Sequence, residues 1–110
     1  PWYLWLCYGG VHGPFTPAER HLQDYPDAYA QTPADIYPPR AGKPSYMQEV
    51  NTWTKGPDGE PILRAEAAKR RVGDDPEAKK GRTLSSWVRQ YNQAVRSLDE
   101  GIGKVLAALE

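Results

Sequence analysis

Residues 2–8 read Trp2-Tyr3-Leu4-Trp5-Leu6-Cys7-Tyr8 and run directly into Gly9-Gly10-Val11-His12-Gly13-Pro14. A row of apolar and aromatic residues without a charge is typical of a strand buried on both faces, as in a parallel sheet that helices cover. The run therefore predicts a buried strand with His12 just past its carboxyl end. Ligands bind at that edge of open α/β sheets, so His12 is the first candidate for a functional residue.

The composition limits the classes of function. The chain has 110 residues, and its 14 Lys and Arg balance its 14 Asp and Glu. A net charge of zero gives no support for nucleic acid or an anionic membrane surface as a partner. Cys7 stands alone, which excludes an internal disulfide, and its place in an apolar run predicts a packing role. No segment approaches the ~20 apolar residues of a membrane span.

The apolar residues are concentrated near the two ends of the chain. At the carboxyl end, apolar side chains recur every three or four positions from Leu84 to Leu109, which predicts an amphipathic helix laid on a core. Thr83 or Ser85 is predicted as its N-cap. Because Gly101 and Gly103 interrupt a helical pattern, we expect another group to pack closely there.

The proline-rich middle of the chain predicts an irregular insertion. Within it, Thr16-Pro17-Ala18-Glu19 predicts a short helix that ends near Gln23, and Asp58-Gly59 predicts a turn after Trp53. A short charged helix is expected over residues 62–71. Since one strand cannot pair its own backbone, we expect the chain to be an internal piece of a larger α/β domain, incomplete at both ends.

The sequence contains no recognisable metal-binding motif. His12 and His21 lack a Cys/His cluster at zinc spacing, and the loop aspartates do not match an EF-hand. We therefore assign no metal ligand within this chain, and we interpret His21 as a surface residue.

Two parts of the sequence resemble, in order, the middle of a type I sulfatase of the alkaline phosphatase superfamily. In that family a hydrophobic strand ends in a Pro-His-x-Pro-like loop, and a helix of the Met-Asp-x-x-Val-Gly-x-x-Leu type follows a variable insertion. The matching residues here are the run Trp2 to Tyr8 followed by Val11-His12-Gly13-Pro14-Phe15, and the stretch from Val95 to Leu109, which contains Leu98-Asp99-Glu100-Gly101-Ile102-Gly103-Lys104-Val105-Leu106. Val11 replaces the usual proline and Leu98 the usual methionine.

The resemblance implies a fragment of an alkaline-phosphatase-like α/β domain. Residues 1–15 would supply a strand and the histidine loop, residues 16–82 the insertion, and residues 83–110 the helix. It implies a bacterial, periplasmic or secreted parent enzyme that hydrolyses sulfate esters with calcium and a formylglycine nucleophile. His12 would be the catalytic histidine that lines the sulfate pocket. The fragment alone is expected to be inactive, since the formylglycine motif and the calcium ligands of the family lie outside it.

In such enzymes the insertion commonly builds substrate subsites, here for a sulfate ester such as a sulfated glycan. Aromatic faces stack on sugar rings and fixed cations pair with sulfate groups. The candidate subsite residues are Tyr37, Arg40, Lys43, Trp53 and Lys55. Two alternatives remain open: a phosphoester or phosphonate hydrolase on the same scaffold, and a noncatalytic module whose Tyr/Pro-rich loop holds glycans or polyproline peptides.

Overall fold

The computed structural model describes residues 1, 3–12, 15–64 and 83–110. In chain order its elements are a 3-10 turn Glu19–His21, helix α1 Ser45–Glu49, strands β1 Trp53–Lys55 and β2 Pro61–Leu63, and helix α2 Leu84–Ala107. The strands form an antiparallel hairpin, and α2 packs against both β2 and the 3-10 turn. The described residues therefore form a small mixed α/β unit, in agreement with the predicted class at that level.

Helix α2 begins where the sequence predicts, at a cap formed by Thr83. The Thr83 hydroxyl accepts a hydrogen bond from the backbone N–H of Ser86 at 3.2 Å, and the Ser86 hydroxyl accepts one from the backbone N–H of Thr83 at 3.0 Å. A serine thus completes a reciprocal cap that is usually completed by glutamate. The Glu60 carboxylate also accepts from the backbone N–H of Ser85 at 2.8 Å, which places a negative charge at the positive end of the helix.

The β-hairpin turns where Asp58-Gly59 predicts it. Trp53 pairs with Leu63, and the backbone N–H of Gly56 donates to the carbonyl of Glu60 at 2.8 Å. A β-carbon on Gly56 would lie 2.7 Å from that same oxygen, so only glycine fits this side of the turn. The helix predicted over residues 62–71 is wrong where the structure describes it, because Ile62 and Leu63 belong to β2; residues 65–71 lie outside the described residues.

Aromatic rings join the distant parts of the chain at Trp87. Its ring meets Phe15 edge to face, with centroids 5.1 Å apart, and meets Trp53 of β1 at 5.9 Å in the same manner. Phe15 in turn contacts Tyr91, one helical turn further along α2, at 5.4 Å. Edge-to-face pairs add to the free energy gained from burying the rings. Trp87 therefore fastens the amino-terminal segment and the hairpin to the same side of α2.

The strand predicted over residues 2–8 does not form at residues 3–8, the part that the structure describes. Residues 3–8 have no regular secondary structure, and Trp5 is 76% exposed. The expectation that Cys7 packs inside is wrong for the same reason, since Cys7 is exposed. A strand needs a neighbouring strand for its backbone groups. Within the described part of the chain, β1 and β2 pair with each other and leave residues 3–8 without such a neighbour.

The most deeply buried residues of α2 are one polar residue and one small residue, not the large apolar residues of the predicted stripe. Gln93 is 2% exposed and Ala94 6% exposed. Five residues of the predicted apolar stripe are exposed: Tyr91, Val95, Ile102, Leu106 and Leu109. The reason is that an irregular segment covers the helix, and its free carbonyls need donors: the Gln93 amide donates to the carbonyls of Leu22 and Asp24, each at 2.9 Å.

The irregular insertion contains less helix near its start than predicted and more near residue 45. The helix expected from Thr16 to Gln23 is reduced to the single turn Glu19–His21, because the chain bends away after Leu22 to follow the helix surface. Helix α1 follows Pro44 and was not predicted, since it is only a little more than one turn long. No helix in the described ranges is long and apolar enough to cross a membrane.

We expect Trp87→Ala to destabilise the chain by about 2 to 4 kcal/mol, because it removes a partly buried ring on which other rings pack. Urea denaturation followed by circular dichroism measures the change. Trp5→Ala is the matched control: this ring is 76% exposed, so its loss is expected to cost less than about 0.5 kcal/mol. Equal effects of the two substitutions would contradict the role given to Trp87.

Candidate functional site

His12 lies at the surface, on a turn that follows Gly9 and Gly10. Its backbone N–H donates to the carbonyl of Gly9 at 3.4 Å, and nothing lies within 4 Å of a β-carbon placed on Gly9 or Gly10. The sequence predicts that His12 follows a buried strand. This prediction is wrong, because residues 3–8 are exposed and form no strand. What remains is an accessible imidazole, a group that can donate, accept or transfer a proton near neutral pH.

The segment that leads to His12 touches helix α2 at one of its glycines. A β-carbon on Gly101 would lie 3.2 Å from Cε1 and 3.4 Å from the hydroxyl oxygen of Tyr8. The close packing expected at Gly101 is therefore confirmed, with a tyrosine ring as the neighbour. Gly103 differs, since nothing lies within 4 Å of a β-carbon placed there.

Arg40, a predicted subsite residue, is held within its own loop by main-chain carbonyls. The side chain is buried, with the residue 6% exposed, and all of its guanidinium nitrogens donate to main-chain carbonyls. The accepting carbonyls belong to Asp35, Ile36, Met47 and Val50, at 2.5 to 2.9 Å. Gln48 completes the arrangement by accepting from the backbone N–H of Arg40 and donating to its carbonyl, both at 2.7 Å. Four of the five guanidinium N–H groups are used in this way.

The other candidate subsite residues are dispersed over the insertion. Trp53 packs its ring on Trp87 and so serves the aromatic cluster. Lys55, at the end of β1, is exposed. Lys43 pairs with Asp35 at 3.7 Å, and the hydroxyl of the half-buried Tyr37 is enclosed without a hydrogen-bond partner. Of the candidates Arg40, Trp53 and Lys55, the first is buried, the second half-buried and the third exposed.

A cluster of charged residues around His21 was missed by the sequence analysis. His21 Nδ1 lies 2.8 Å from Asp24 Oδ2, and its Nε2 lies 2.9 Å from Glu100 Oε2. The His21 side chain is 12% exposed, so its interpretation as a surface residue is wrong. The spacing His21-x-x-Asp24 was the only local signal, and the Glu100 contribution comes from the far end of the chain.

Glu100 is the acceptor at the centre of this cluster. Lys104 Nζ lies 2.7 Å from its Oε1, and Arg20 Nη2 lies 2.7 Å from its Oε2. Hydrogen bonds from Lys104, His21 and Arg20 lower the pKa of Glu100 from 4.5 to about 2. The carboxylate therefore stays ionised well into the acid range and can hold several donors at once.

The described residues hold no group of three or more His, Cys, Asp or Glu side chains that could bind a metal ion. His21, Asp24 and Glu100 are close together, but they are bonded to each other and to cations instead of facing a common point. No family model, curated protein or solved structure matches the chain.

We expect Arg40→Lys to disorder the loop of residues 35–50, because an ammonium group cannot reach carbonyls that lie around a planar guanidinium. The unpaired buried groups are expected to cost about 1 to 3 kcal/mol. Limited proteolysis with chymotrypsin, which cuts after tyrosine unless proline follows, measures the change at Tyr46. Lys43→Met is the control within the same loop; faster cleavage in that variant, or unchanged cleavage in Arg40→Lys, would contradict the assignment.

Stability is expected to fall as the pH falls from about 4.5 toward 2, in part through Glu100. Its folded-state pKa lies below that of an unfolded glutamate, so its pairing stabilises fully above the unfolded value and is lost as the folded carboxylate protonates. Thermal midpoints should therefore separate wild type from Glu100→Gln at about pH 6 and converge near pH 2. Asp99→Asn, at the neighbouring position of α2, is the control. A constant gap between wild type and Glu100→Gln would refute the prediction.

Proposed function

We propose that the chain is part of a sulfatase catalytic domain in which His12 acts on the ester oxygen of a sulfate ester. The observation that carries the proposal is the contact between Tyr8 and Gly101. It joins the two parts of the chain that resemble the family, the segment that leads to the histidine loop and the carboxyl-terminal helix. These parts are far apart in the sequence, and the long insertion between them does not prevent their contact.

The chemistry suits an exposed imidazole. A protonated ring donates a hydrogen bond to the oxygen that bridges sulfur and the organic group, where negative charge develops as the sulfur–oxygen bond breaks. The same ring then transfers its proton to that oxygen, which leaves as an alcohol or phenol. Calcium and formylglycine would supply the polarisation of the sulfate group and the nucleophile in the parent enzyme, and no residue of this chain is assigned to either.

The exposed apolar surfaces are consistent with a domain completed by further polypeptide. Residues 3–8 are apolar and exposed, and so are the residues of the predicted apolar stripe at Tyr91, Val95, Ile102, Leu106 and Leu109. Exposure of so many apolar side chains is costly in water. In the proposed domain, further strands of the same protein pair with residues 3–8, and the sheet covers the stripe. Lys55 is the subsite candidate that the proposal retains, for a second sulfate group on a glycan.

The coding sequence on either side of the chain provides the first test. The proposal requires a Cys-x-Pro-x-Arg or Ser-x-Pro-x-Arg motif upstream, and an Asp-Asn-Gly strand shortly downstream. Their presence supports a periplasmic or secreted sulfatase, whereas unrelated domains on both sides would overturn it.

In the complete protein, we expect His12→Ala to lower kcat/KM for an aryl sulfate by at least about tenfold, because the leaving oxygen loses its proton donor. Gln31→Ala, an exposed position in the insertion, is the matched control and should retain wild-type turnover. Near-normal turnover of His12→Ala would remove His12 from the mechanism while leaving the sulfatase assignment in place.

The same assay separates the two alternatives. Faster turnover of an aryl phosphate or phosphonate than of the sulfate would assign the related hydrolase activity. A binding module is favoured by the exposed rings of Tyr29 and Tyr46, which are 77% and 65% exposed. Glycan binding without any turnover, abolished by Tyr29→Ala, would assign that function instead.

A further inference from the structure

The cluster around His21 contains none of the residues assigned to the proposed hydrolase activity. This ring stands between carboxylates from two different parts of the chain: Asp24 from its own segment at 2.8 Å and Glu100 from α2 at 2.9 Å. The side chain is 12% exposed, so water replaces these partners only if the segment moves away from the helix.

Both contacts can be hydrogen bonds only when the ring carries two protons. A neutral imidazole has one N–H donor and one lone pair, whereas the imidazolium has two donors. A neutral ring in this position would direct its lone pair at a carboxylate oxygen, which is repulsive. The geometry therefore selects the imidazolium, and the bound proton becomes part of the contact between the segment and the helix.

The surrounding charges limit what loss of the proton can do. Arg20 and Lys104 pair with the Glu100 carboxylate, and Arg96 lies 3.7 Å from Asp24 Oδ2. These cations oppose a further positive charge on the ring, but they also hold both carboxylates in position. After the ring loses its proton, Arg20 still joins the turn to α2. Deprotonation is therefore expected to loosen the segment and not to release it fully.

We propose that His21 is a proton-dependent clasp that fastens residues 18–24 to helix α2. In the protonated state the ring bridges Asp24 and Glu100, and the uncharged hydrogen bonds beside it form. Those contacts are the hydrogen bond from the backbone N–H of Ala18 to the Ser97 hydroxyl at 3.0 Å and the bonds of the Gln93 amide. In the neutral state the segment separates from the helix more often.

The Ala18 amide is a suitable reporter because neither it nor its acceptor changes charge. Its hydrogen-exchange protection, divided by the intrinsic exchange rate at each pH, reports how often the segment opens. We expect this protection to fall by at least about threefold between about pH 5.5 and about pH 8.5, the range in which imidazoles change charge. Nitrogen NMR should show both ring nitrogens of His21 protonated at the lower pH.

His21→Gln tests whether this residue is the cause. The variant should lose the pH dependence of Ala18 protection, whereas His12→Gln, which removes the other histidine, should retain it. Persistence of the pH dependence in His21→Gln would overturn the proposal. If that variant fails to fold, the measurements on the wild-type protein are sufficient. A singly protonated His21 ring at the lower pH, or Ala18 protection that does not vary with pH, would overturn the proposal.

Discussion

The edge-to-face packing of Phe15 and Trp53 on Trp87 is the interaction on which the rest of this structure depends. Ordering a helix as long as α2 costs conformational entropy that its own hydrogen bonds offset only marginally in water. The rings supply the tertiary contact that the helix needs, close to its amino-terminal end. The same cluster joins the amino-terminal segment and the hairpin to the helix, and the cap at Thr83 and the Glu60–Ser85 bond lie next to it.

Beyond the rings, the segment that follows Phe15 is attached to α2 by polar contacts. Ser97 bonds to Ala18, Glu100 bonds to Arg20 and His21, and Gln93 bonds to Leu22 and Asp24. The contacts of Glu100 join ionisable groups and depend on protonation, whereas the bonds of Ser97 and Gln93 and the ring packing do not. The molecule therefore has a part that is insensitive to pH near Trp87 and a part that is sensitive to it near His21.

The sequence predicted the features that local chemistry determines. Thr83 caps the helix because its hydroxyl competes for free amide groups nearby in the chain, and Asp58-Gly59 turns because glycine accepts a positive φ. Features that need distant partners were not predictable from pattern. Residues 3–8 have the composition of a buried strand, yet strand formation depends on neighbours that the described chain does not supply. The pairing of His21 with Glu100 joins positions whose proximity no periodicity encodes.

The cage around Arg40 has a consequence for how this loop can change. The loop is held by hydrogen bonds from one guanidinium and one amide side chain to main-chain carbonyls, which every amino acid possesses. These bonds use no side chain other than those of Arg40 and Gln48. The loop can therefore exchange its tyrosines and lysines for other residues while keeping its path, as antibody loops keep a frame while their contact residues diversify. Such a scaffold lets recognition evolve without refolding.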